Sequence, residues 1–346
     1  MLRPVFSRIC RAPASRNKSA LVWKYTGALA RSRTRIAPGG RGGPTGWFDG
    51  FPGGLHDAGG TTLFARVGGN PDGPPLLLLH GYPQTHAMWR RVATKLAPHF
   101  RIVMPDLRGY GDSAKPAPAA TPELDHAQYS KRAMAADMAA LMQSFGHERF
   151  AVVGHDRGAR VAHRLALDHR DRVARLALLD IVPTLDAYER TDIRFATLYY
   201  HWFFLIQPAP LPERMIGGDP AHFLRWTLGG WAGRGSNFIE PEALAEYERC
   251  FCRPEAIHAS CEDYRAAATI DLDHDRASRA AGEKIACDLL VVWGSRGVVG
   301  RLYDPLALWR AQCSATVTGQ ALDASHFLAE ELPDETAALL SGHLLR

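Results

Sequence analysis

The run Gly154-His155-Asp156-Arg157-Gly158 constrains this chain most. It follows the apolar stretch Phe150-Ala151-Val152-Val153, and Val161, Leu165 and Ala166 recur after it at helical spacing. That order reads as a strand, a sharp turn and a helix. In a G-x-S-x-G turn of this kind a serine is held out at the top of a sheet. Here the central residue is Asp156. A carboxylate in that place can displace a leaving group from a saturated carbon and form an ester with the protein. Arg157 and Arg160 beside it point to an anionic substrate.

Around the turn the chain alternates between two patterns. Residues 61–67 and the continuous apolar run 75–80 read as strands, the second buried on both faces. Residues 88–96 read as a helix, 101–105 as a strand, 130–145 as a helix, 157–168 as the helix after the turn and 176–180 as the next strand. This β-α alternation with short connections predicts an α/β fold with a mostly parallel, doubly wound sheet. After Pro183 the pattern changes: to about Glu283 the chain is aromatic and helical, holding Tyr199, Trp202, Trp226, Trp231 and Tyr247. Residues 289–294 resume the sheet, with a weak strand near 316–318 and a last helix from Asp334. The expected division is a core of residues 48–182 and 284–346, with residues 183–283 inserted as a helical cap.

The formal net charge of +5 arises from one segment. Residues 1–48 hold ten Lys or Arg and no Asp or Glu, leaving 31 basic against 36 acidic residues in the rest, a net −5. A nucleic-acid surface is therefore not indicated on the body of the chain. Residues 1–47 end in the linker-like Pro38-Gly39-Gly40-Arg41-Gly42-Gly43-Pro44 and read as a basic tail, with an organelle-targeting reading open. No stretch of 18 uncharged apolar residues marks a membrane span. The six cysteines include no C-x-x-C, and Cys250 with Cys252 lacks partners at zinc-site spacing, so reduced thiols in a cytoplasmic protein are expected.

The chemistry-bearing residues come in the order Asp156, Asp180, His326. Asp180 ends the strand after the turn, and His326 stands between the last strand and the last helix. A nucleophile, an acid and a late histidine in that order form a catalytic triad in which the acid fixes the tautomer of the base. Each member has a plainer reading alone. This chain has 15 histidines, and Asp180 competes with a later acid such as Asp304.

With those motifs on the page, residues 48–346 resemble the fluoroacetate (haloacetate) dehalogenases, a family of α/β-hydrolases. The matching stretches are His80-Gly81-Tyr82-Pro83-Gln84-Thr85-His86, Gly154-His155-Asp156-Arg157-Gly158-Ala159-Arg160, Leu179-Asp180-Ile181, Tyr200-His201-Trp202, Tyr247 and Ser325-His326-Phe327-Leu328. The resemblance implies Asp156 as nucleophile, Asp180 and His326 as the acid–base pair, and Arg157 with Arg160 as a clamp on the substrate carboxylate. It implies His201, Trp202 and Tyr247 as halide donors, with Trp231 nearby; read from the sequence alone, an aromatic core is the better reading of these residues, and only the resemblance reverses it. A guanidinium fork suits a carboxylate bidentately. Backbone N–H groups of Tyr82 and Arg157 are expected to hold the oxyanion. The implied reaction needs no metal or organic cofactor, takes a small anionic substrate and is compatible with a homodimer. An epoxide hydrolase would share the nucleophile, though such enzymes usually carry Trp where Arg157 stands. A non-catalytic binding protein would show a broken triad.

Overall fold

The computed structural model describes residues 46–117, 126–232 and 237–346. Within them eight strands form one sheet: β1 (Gly53–Asp57), β2 (Thr62–Gly69), β3 (Pro75–Leu79), β4 (Arg101–Pro105), β5 (Phe150–His155), β6 (Val173–Leu179), β7 (Leu289–Gly294) and β8 (Val317–Leu322). Their spatial order is β1-β2-β4-β3-β5-β6-β7-β8. β2 pairs antiparallel with β1 and β4, and every other pair is parallel. The central strands explain themselves. Leu76–Leu79 and all of β5 are buried, as parallel strands covered by helices on both faces must be.

The helices α1 (Arg90–Leu96), α2 (Lys131–Ser144) and α3 (Arg157–Asp168) connect β3 to β4, β4 to β5 and β5 to β6. Between β6 and β7 the described residues form only helices: α4 (Thr184–Glu189), α5 (Ile193–Leu198), α6 (His201–Phe204), α7 (Leu211–Gly217), α8 (Pro220–Ala232), α9 (Pro241–Phe251), α10 (Pro254–Ala268) and α11 (Ile270–Ala280). The chain closes with α12 (Val298–Leu302), α13 (Pro305–Gln312), α14 (Leu328–Glu331) and α15 (Pro333–Leu344). No helix among the described residues is long and apolar enough to cross a membrane. Of the basic segment 1–47, all but the last two residues lie outside the described residues.

Two strands depart from expectation. β1, Gly-Gly-Leu-His-Asp, has no apolar run to betray it; it is an antiparallel edge strand paired only with β2, and its side chains alternate between exposed and half-buried. β8 runs to Leu322 rather than stopping near Thr318, and its edge position again leaves it largely unburied. Tyr82 and the three triad candidates follow the carboxyl ends of sheet strands: Tyr82 after β3, Asp156 after β5, Asp180 after β6 and His326 after β8. In an open α/β sheet that is the edge where ligands bind.

Candidate active site

Asp156 sits at the turn from β5 into α3 with φ 47° and ψ −115°, a backbone conformation that costs a non-glycine residue roughly 1–3 kcal/mol. The flanking glycines permit it. A Cβ on Gly154 would lie 2.5 Å from the Ala159 Cα, and one on Gly158 would lie 2.3 Å from the His80 carbonyl oxygen, so strand, loop and helix pass too closely for any side chain. The carboxylate of Asp156 is buried and its Oδ2 accepts from the Tyr82 backbone N–H at 2.9 Å. Its Oδ1 accepts from no described residue. Burial opposes its charge, but the positive charges of His326, Arg157 and Arg160 outweigh that and hold the carboxyl below the usual range.

His326 Nδ1 donates to Asp180 Oδ2 at 2.6 Å, which leaves Nε2 to act as base. Asp180 is fixed from its other side, where Oδ1 accepts from the Gly294 N–H at 3.0 Å. Both side chains are buried. Burial pulls the imidazole towards neutrality, yet the Asp180 hydrogen bond and charge dominate and raise its affinity for a proton. The competing acid Asp304 instead caps α13 through the Ala307 N–H at 3.0 Å. His155 braces the base: its Nε2 donates to the His326 carbonyl at 2.8 Å, with ring centroids 4.6 Å apart. Burial drives His155 down to about 3, so it stays neutral beside the His326 ring.

The two arginines are not a solvated helix face, being 1% and 5% exposed. Nor do they present two open forks. Arg157 spends Nε (2.9 Å) and Nη2 (2.8 Å) on the Asp263 carboxylate, and Nη2 also reaches the Asp263 carbonyl at 2.8 Å. Only its Nη1 is buried and unpartnered. This corrects the expectation of a bidentate grip by Arg157, because its fork is already filled. Arg160 Nη1 donates to the Val182 carbonyl (3.2 Å) and Thr184 Oγ1 (2.9 Å), while its Nε is buried without a partner. Arg157 lies 4.1 Å over the Tyr264 ring and Arg160 4.7 Å over that of Trp202.

Aromatic residues close the space. His201 lies 4.3 Å from the Trp231 ring centroid and 5.6 Å from that of Tyr264, and Trp231 in turn lies 5.4 Å from His326. Tyr82 packs against Tyr264 at 5.3 Å. Three polar atoms in this wall are buried without a partner: His201 Nδ1, Tyr82 Oη and Tyr264 Oη. Burial lowers the His201 pKa well below its usual value, so the ring is neutral. Buried polar groups are nearly always satisfied, so a cluster of orphans around one carboxylate marks where a polar guest binds.

The alpha/beta hydrolase fold family matches residues 74–331. A fluoroacetate dehalogenase from Burkholderia sp is 46% identical over 297 residues, which covers 86% of this chain and 95% of that protein. This chain belongs to the fluoroacetate dehalogenase family of α/β-hydrolases. A soluble epoxide hydrolase from Corynebacterium sp. is 33% identical over 75% of this chain and 86% of its own. Among solved structures, a protein from Nostoc sp described as an alpha/beta hydrolase superposes with TM-score 0.82 at 53% identity, covering 86% of this chain and 99% of that one.

One expected member of this dehalogenase-family site is placed elsewhere. Tyr247, on α9, donates its hydroxyl to Glu330 Oε1 at 2.8 Å and accepts from Gln84 Nε2 at 3.3 Å. Its single O–H is committed, so it is not among the free donors facing Asp156. The tyrosine that is among them is Tyr264 on α10, which the sequence reading missed, as it missed Asp263. Both lie in Glu262-Asp263-Tyr264-Arg265, a polar stretch of helix with no spacing motif to single it out.

Glu330 was missed too. It is buried on α14, where Tyr247 joins it from α9 and Gln84 from the loop after β3, and burial outweighs both hydrogen bonds to push it up to about 8. Gln84 Oε1 has no partner; exchanging the amide's N and O would let it accept a proton from Glu330, as a neutral acid requires. The folded-state value lies above that of an unfolded glutamate, so the protonated carboxyl's contribution is complete below about pH 4.5 and is lost as pH rises towards 8. We expect Glu330→Gln to remove a fall in stability on the order of 4 kcal/mol across that window. Denaturant midpoints of both proteins between pH 5 and 8.5 check this; parallel curves refute it.

Proposed function

We propose that this chain hydrolyses the carbon–halogen bond of a small haloacetate, with fluoroacetate as the type, through an ester on Asp156. The observation that carries the reading is the grouping of a carboxylate held below its usual range, two buried guanidiniums with unspent N–H groups, and the unpartnered polar atoms of His201, Tyr82 and Tyr264. Substrate and nucleophile are both anions, and at 4 Å they repel by about 4 kcal/mol at an effective dielectric near 20. Arg157 Nη1 and Arg160 Nε offset this by taking the substrate carboxylate. Asp156 Oδ1 attacks the halogen-bearing carbon in line. The carbon–halogen bond breaks and halide leaves with the electron pair. Neutral donors aimed at that developing charge are worth about 3 kcal/mol each when preorganised.

The second half regenerates the carboxylate. His326 Nε2 takes a proton from water, and the oxygen adds to Asp156 Cγ. The negative charge appears on Oδ2, already held by the Tyr82 N–H, with the Arg157 N–H as second donor at the start of α3. Collapse expels the alkoxide, which takes the proton from His326 and departs as glycolate. Asp156 then loses a proton. In this reading residues 183–283 act as the cap that excludes bulk water.

The test is halide release from fluoroacetate and chloroacetate, with styrene oxide opening followed in parallel. The expected result is halide with glycolate, and Tyr264→Phe slowing fluoride release roughly 10²-fold while Tyr247→Phe leaves it within a factor of about 3. Epoxide opening without halide release would replace this reading with an epoxide hydrolase.

A further inference from the structure

Behind the clamp lies a buried row of alternating charges that the mechanism above leaves unused. Asp263, on α10, is 0% exposed. Its Oδ2 accepts from Arg157 Nε at 2.9 Å and from the Tyr110 hydroxyl at 2.5 Å, and its Oδ1 accepts from Arg157 Nη2 at 2.8 Å and from Lys131 Nζ. Lys131, also buried, reaches a second carboxylate at 3.4 Å, Asp271 Oδ2, while Asp271 Oδ1 accepts from the Lys131 backbone N–H at 2.8 Å. The row therefore runs Arg157, Asp263, Lys131, Asp271, and its formal charges cancel. Arg160, by contrast, has no carboxylate partner among the described residues; its Nη1 rests on a carbonyl and a hydroxyl.

Such a row is costly. Each buried ion forfeits several kcal/mol of hydration, and buried pairs are weak contributors to net stability. Holding Arg157 alone would need only one acid. Arg157 and Asp263 already cancel, and Lys131 with Asp271 adds a second cancelling pair that holds Asp263 from behind without changing the net charge. We propose that Asp263, with Lys131 and Asp271 behind it, is the specificity-determining element of the carboxylate clamp. It aims the single nitrogen Nη1 of Arg157 at the ligand and cancels the charge of that arginine, so that Arg160 supplies the one uncompensated positive charge of the clamp and the site selects a monoanion over a dianion of similar size. The inference rests on reading Arg157 and Arg160 as that clamp.

The experiment measures binding of acetate and oxalate at pH 7.5 by calorimetry, with no turnover required. Asp263→Asn raises the charge of the row by one, Lys131→Met lowers it by one, and the double variant restores neutrality. A unit charge about 10 Å from the ligand, at an effective dielectric near 20, still shifts the preference between dianion and monoanion by about tenfold or more. We expect the oxalate-to-acetate affinity ratio to rise about tenfold in Asp263→Asn, to fall in Lys131→Met, and to return to within about threefold of wild type in the double variant, each confirmed folded by near-ultraviolet circular dichroism. Loosened packing would move both single variants the same way; that result, or an unchanged ratio, overturns the proposal. Failure of the clamp reading looks different: wild type then binds neither anion, and Arg160→Gln changes nothing.

Discussion

Replacing Asp156 with asparagine will reduce steady-state halide release by at least about 10⁴-fold without unfolding the protein, because losing a nucleophile removes the covalent route altogether. The substitution is nearly isosteric. Asparagine tolerates the positive φ at this turn better than most residues, and its amide oxygen can still accept the Tyr82 N–H. The variant should keep its thermal midpoint to within a few degrees while a fluoride electrode records almost nothing. Retained turnover at a tenth of the wild-type rate would mean that water, and not this side chain, attacks the carbon.

Replacing His326 with glutamine separates the two halves of the reaction. In the proposed reaction the base enters only after halide has left, so the variant should release one halide per site in a burst and then stop. Turnover should fall by about 10³–10⁴-fold, the usual scale for a general base. Mass spectrometry of the peptide containing Asp156 should show an added glycolyl group. The raised proton affinity of His326 adds a pH signature in wild type: Nε2 must be unprotonated to accept from water, so the second half slows as pH falls below a value above the ordinary histidine pKa. Loss of the burst together with loss of turnover would place His326 in the first step and refute the ester.

The sequence exposed the parts of this site that depend on neighbours along the chain. The elbow, the strand-end acid and the late histidine each sit at a junction between elements, and such junctions have local signatures. Arg157 and Arg160, three apart, are both buried on the first turn of α3. What each spends its hydrogens on was not legible, since Asp263 lies 106 residues further on. The exchange of Tyr247 for Tyr264 has the same cause. Both tyrosines lie on helices of the insert, and helical periodicity says which face is apolar but not which helix leans over the elbow. Glu330 resembles any acid in the first turn of a short helix until Tyr247 and Gln84 are seen closing over it. β1 was missed for a different reason: an edge strand needs hydrogen-bond partners more than apolar side chains.

The seating of Asp156 Oδ2 on the Tyr82 amide makes the two oxygens of one carboxylate unlike. In the proposed reaction the outer one is expelled with each product molecule and renewed from solvent, while the inner one is never on the leaving side. Unless the carboxylate turns over between cycles, an enzyme that has worked for a thousand turnovers in isotopically heavy water should carry one foreign oxygen at this residue rather than two, and the side chain keeps a record of which way it faced.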